Sequence, residues 1–147
     1  MGTVTERDRG AEPALREFDE RVDIDRRFRA EPASAGDARH FVGSVLDRHG
    51  VDSVDARLLT SELATNAVVH GRTDFTVRVA LRQGRVRVEV RDANGHLPST
   101  PSGLPLDASS GRGLPLVDVI APAWGVEALE EGKSIWFELP VSARTSS

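Results

Sequence analysis

Two stretches alternate apolar and polar residues almost strictly: FTVRVALR (75–82) and VRVEVRD (86–92). Only Gln83-Gly84-Arg85 lies between them, so the economical reading is an antiparallel hairpin with one apolar and one polar face. A hairpin of this kind is unstable until something covers its apolar side. The rest of the chain must therefore supply a layer that packs on one face of a sheet.

Two amphipathic segments upstream can do this. Ala38, Phe41, Val42, Val45 and Leu46 follow the helical period, with Ser34 as the expected cap and Gly50 as a natural stop. Ser53 is expected to open a second helix that runs through RLLTSELATNAVVHG to Gly71. Before both, Val22, Ile24 and Phe28 sit at even spacing in VDIDRRFRA, which suits an edge strand. Beyond the hairpin, Ala93 to Gly113 is rich in Gly, Pro and Ser, a pattern that often marks a lid or binding loop. Leu114 to Ile120 resumes a helical pattern with Pro115 in its first turn. Strands Trp124 to Leu129 and Ser134 to Leu139 follow, joined by Glu130-Glu131-Gly132-Lys133. This order predicts an α+β two-layer sandwich with a mixed, mainly antiparallel sheet and helices on one face. Residues 1–20 read as a flexible arm, 21–141 as the domain and 142–147 as a flexible tail.

Composition narrows the chemistry. The 147 residues contain no cysteine, which excludes disulfides, thiolate metal sites and thiol nucleophiles. A net charge of −4 argues against a dedicated nucleic-acid binder. No apolar run approaches a membrane span, and no signal-peptide pattern opens the sequence, so a cytoplasmic protein is expected. Lys133 is the single lysine; beside Glu130 and Glu131 it reads as a turn residue. Trp124 and Trp136, on the last two strands, are expected to pack against the helices.

In the second helix Glu62, Asn66 and His70 are spaced i, i+4, i+8 and so share a face. Such a line is either a solvated face or the wall of a polar pocket. In a pocket, a carboxylate can act as a general base, and a carboxamide oxygen can join phosphate and water around a magnesium ion. Asp92, where the second hairpin strand enters the long loop, is either a turn former or an acceptor for an exocyclic amine. Gly111-Arg112-Gly113 precedes a helix, where backbone amides can approach phosphate closely. Neither GxxxxGK[ST] nor GxGxxG is present.

Taken together, ELATNAVVHG resembles the N box of the GHKL (histidine-kinase-like) ATPase superfamily, and VRDANGHLP its G1 box. GRGLPLV is similar to the G2 box and GKSIWFELP to the closing strand. Within the superfamily, the short length and the phrasings GRGLPLVD and WGV resemble the anti-sigma-factor serine/threonine kinases. The resemblance covers roughly residues 22–140 and implies a Bergerat-type ATP-binding fold with ATP and Mg2+ as cofactors. Carried over by position, Glu62 would be the general base and Asn66 would hold Mg2+. Asp92 would bind the adenine N6 amine, Gly95 would shape the pocket floor, and residues 96–112 would form the ATP lid. Gly111 and Gly113 would contact phosphate, and Arg112, Leu114 and His70 would lie near it. Ser134 would support Asp92. The usual G1 glycines are replaced here by Asn94 and His96; asparagine tolerates positive φ. The implied activity is a Mg2+-ATP-dependent protein kinase acting on an anti-sigma-factor antagonist protein and switching between it and a sigma factor. It would touch no nucleic acid or membrane, and a homodimer is possible. The alternative is an ATP-binding interaction module with little or no catalysis.

Overall fold

A computed structural model describes residues 21–94 and 115–143. Strand β1 (Val22–Phe28) is followed by helices α1 (Ala33–Arg48) and α2 (Val54–Asn66) and a single π-helical turn (Ala67–Gly71). Strands β2 (Phe75–Arg82) and β3 (Arg85–Asp92) come next, then the short helix α3 (Pro115–Ile120) and strands β4 (Ala123–Leu129) and β5 (Gly132–Pro140). The strands form one sheet in the order β1-β2-β3-β5-β4, and every pairing is antiparallel. The α+β expectation holds, and the edge position of β1 holds with it.

Alternation along the strands divides the sheet cleanly. Phe75, Val77, Val79 and Leu81 of β2, Val86, Val88 and Val90 of β3, and Ile135 and Phe137 of β5 point into one buried core. Leu46 of α1 and Leu59 and Leu63 of α2 close that core from above, each fully buried. Among the described residues, no helix is long and apolar enough to cross a membrane.

The helix ends differ from expectation in an instructive way. Ser34 does not cap α1. Pro32, with φ −57° and ψ −36°, already has helical geometry, so the helix starts around it and Ser34 is buried inside the first turn. Ser53 does sit at the start of α2, but its hydroxyl donates to Asp47 Oδ1 at 2.9 Å and accepts from Arg57 Nε at 2.9 Å. The side chain thus ties α1 to α2 and leaves the helix end to Asp52, whose Oδ1 accepts from the Val54 amide at 3.0 Å. Gly71 is not the left-handed stop; Arg72 is, at φ 58°, with its amide donating to the Ala67 carbonyl at 2.9 Å.

Both hairpins are tighter than their sequences suggest. Arg82 pairs with Arg85, leaving a two-residue turn of Gln83 and Gly84, both at positive φ as the right-handed strand twist demands. Leu129 likewise pairs with Gly132, so the second turn is only Glu130-Glu131, and Lys133 belongs to the strand. The two tryptophans, twelve residues apart on neighbouring strands, face opposite ways. Trp124 meets the helical layer, its Nε1 donating to Asp118 Oδ1 of α3 at 3.1 Å. Trp136 lies on the outer face under the Arg87 guanidinium, 4.2 Å from the ring centroid, and its cross-strand neighbour Gly125 leaves room for the indole.

Candidate functional site

The residues of interest gather where α2 passes into its π turn, where β3 ends and where β5 begins. Glu62 and Asn66 lie one turn apart on α2, both partly buried. The Oδ1 of Asn66 is buried and has no hydrogen-bond partner among the described residues. A buried amide oxygen left unmatched is costly, and it suits a ligand that brings its own positive charge. A hard oxygen of this kind is what magnesium selects, with phosphate and water completing its shell. Glu62 Oε1 accepts from the backbone amide of Val117 at 3.2 Å, so the carboxylate holds the first turn of α3.

His70 lies in the π turn that begins immediately after Asn66, and it is exposed. The backbone of His70 approaches the site instead: its carbonyl accepts from Asn94 Nδ2 at 3.4 Å. That contact ties the end of α2 to the end of β3.

Asp92 ends β3 on the helix-facing side and is buried. Its Oδ1 accepts from the Asn94 amide at 2.9 Å, which shapes the turn out of the strand, and from Lys133 Nζ at 2.9 Å. Lys133 is not a turn lysine. It pairs in register with Asp92, is 2% exposed, and donates a second hydrogen bond to the Asn94 carbonyl at 3.3 Å. Close approach makes this possible: Gly132 has φ 118°, and a Cβ there would collide with the Asp92 carbonyl and Ala93 Cα.

Ser134 makes no direct hydrogen bond to Asp92. It pairs with Arg91, one residue out of phase, so strand alternation sends it to the outer face; there its Oγ is buried without a partner among the described residues. The neighbour of Asp92 is Lys133. Sequence reasoning passed over Lys133 as a site residue, although it is the chain's only lysine and follows a glycine. Gly95, Gly111, Arg112, Gly113 and Leu114, with His96 and the 96–112 lid, lie outside the described residues.

A one-faced antiparallel sheet whose inner strand ends in a buried carboxylate, under a helix bearing a glutamate and an asparagine, is consistent with the histidine kinase-like ATPase fold. The family model for the histidine kinase-like ATPase domain matches residues 28–139, and the chain belongs to that family. Among solved structures, the crystal structure of the RsbU and RsbW domains of Rv1364c from Mycobacterium tuberculosis is similar over 86% of this chain, with a TM-score of 0.61 and 20% identity. The similarity spans 35% of that protein's chain and shows a shared fold. Among curated proteins, no sequence match reaches significance.

Proposed function

We propose that the chain is a Mg2+-ATP-dependent serine/threonine protein kinase of anti-sigma type. Its acceptor would be a serine hydroxyl on an anti-sigma-factor antagonist protein, with a sigma factor as the competing partner. The observation that carries the reading is the orphaned, buried Oδ1 of Asn66 one helical turn from Glu62. Support also comes from the box-by-box resemblance and from the fold shared with a structure that contains an RsbW domain.

In this reading Asn66 holds magnesium against the nucleotide phosphates. Bound there, the ion neutralises charge on the transferring phosphoryl group. Asp92 binds the adenine amino group, and Gly111 and Gly113 turn backbone amides toward phosphate. Glu62 takes the proton of the attacking hydroxyl on Oε2, while Oε1 keeps the Val117 amide. Phosphoryl transfer asks mainly for alignment and charge compensation, so this small set suffices.

One observation favours the second reading, a nucleotide-binding interaction module. The only described hydrogen bond to the Glu62 carboxylate comes from Val117, a structural use of the same group. Incubation with radiolabelled ATP and candidate antagonist proteins separates the two. Label on the antagonist that vanishes in Glu62→Ala supports the kinase; a stable complex without label supports the module.

A further inference from the structure

The geometry points to Lys133 as a second base-reading group of the nucleotide site, donating to N1 of adenine while Asp92 receives N6–H. This deepens the ATP-binding reading and rests on it. Lys133 carries three N–H donors and no acceptor. Among the described residues two are used, on Asp92 Oδ1 and the Asn94 carbonyl, in a side chain only 3% exposed. The third donor is unspent. Asp92 is in the complementary position: both hydrogen bonds it accepts among the described residues fall on Oδ1, and Oδ2 takes none.

A buried pair therefore presents one open acceptor beside one open donor. Asp92 Oδ2 is not among the fully buried unpartnered atoms, so it can be reached from outside, and the pair suits a ligand edge with the opposite order. Adenine supplies that edge, with an N6–H donor directly beside the N1 acceptor. A carboxylate alone reads only the donor. The added ammonium makes the pair sensitive to the ring nitrogen as well, and the cross-strand register of Asp92 with Lys133 holds the two heads at one depth.

The alternative role for Lys133 is neutralisation of Asp92 without contact to the base. Isothermal titration with ATP and with 1-deaza-ATP, in which N1 is replaced by C–H, distinguishes them. The wild-type protein is expected to prefer ATP by about tenfold or more, the effect of one hydrogen bond from a charged donor. Lys133→Met is expected to bind both nucleotides equally. Parallel weakening of both, or equal affinities in the wild type, would overturn the assignment. If Lys133→Met does not fold, Lys133→Arg retains a donor and must keep a preference for ATP; loss of that preference in the folded Arg variant also counts against the proposal. Absence of any ATP binding by the wild type is a different failure, because it removes the nucleotide site itself.

Discussion

Glu62 of α2 and Val117 of α3 are joined by a 3.2 Å hydrogen bond from backbone amide to carboxylate. The carboxylate proposed as the base therefore also anchors the first turn of α3. Capping and catalysis are separable by substitution. Glu62→Gln keeps an oxygen for the Val117 amide and should unfold close to wild type, whereas Glu62→Ala should lose about 1 kcal/mol in urea titrations. Both should abolish phosphoryl transfer. Transfer surviving in Glu62→Gln would remove Glu62 as the base.

In the proposed reading Asn66 serves ligand binding with an oxygen that has no partner among the described residues. Asn66→Ala should change unfolding free energy by less than about 1 kcal/mol, since the buried Oδ1 has no partner to lose. Its ATP affinity should fall and become insensitive to chelation of magnesium, whereas wild-type affinity should drop on chelation. Calorimetry with and without a chelator provides the check.

Gly132 governs how closely β5 approaches the end of β3. Alanine there would drive Cβ into the Asp92 carbonyl and force an L side chain to φ 118°. Gly132→Ala should cost about 2 kcal/mol or more, visible as a melting-temperature drop of several degrees, and should weaken nucleotide binding with it. Gly84→Ala, in an open turn with nothing near its Cβ, should keep nucleotide affinity.

Acid stability should be governed in part by the outer face of the sheet. Burial pushes the Glu89 carboxyl up, but hydrogen bonds from Arg87 at 2.8 Å and Arg91 at 3.0 Å more than reverse this and leave it below its ordinary value. A depressed carboxylate stabilises the fold above its unfolded pKa, and that contribution is lost as pH falls through the folded value. Urea titrations from pH 7 downward should show wild-type stability declining below about pH 4.5, with the decline shallower in Glu89→Gln. Identical slopes would show that the Arg87–Glu89–Arg91 cluster does not contribute.

Much of this was legible in the residues, and the exceptions have physical causes. Strict alternation in 75–82 and 86–92 revealed the hairpin and its faces, and Gly50 revealed the end of α1 through its φ of 72°. Glu62 and Asn66 could be placed together because an uninterrupted α-helix connects them. The π turn that carries His70 was not legible, because periodicity carries no sign of one starting at Ala67. Lys133 was misjudged because Glu130 and Glu131 suggested a solvated turn. Its true partner is forty-one residues away in sequence and is reached only through strand register. The same one-residue shift sends Ser134 to the outer face. Trp136 was expected to pack against the helices with Trp124, whereas its pairing opposite Gly125 and beside Arg87 fixes it on the outer side.

The central claim is that the end of α2 and the end of β3 form one magnesium–nucleotide site. Isothermal titration of ATP with Mg2+ into wild type, Asn66→Ala and Asp92→Asn tests it most directly. The expected result is saturable one-site binding in the wild type, weakened at least about tenfold in each variant while each remains folded by circular dichroism. No binding by the wild type, or unchanged affinity in the folded Asn66→Ala and Asp92→Asn proteins, would contradict it.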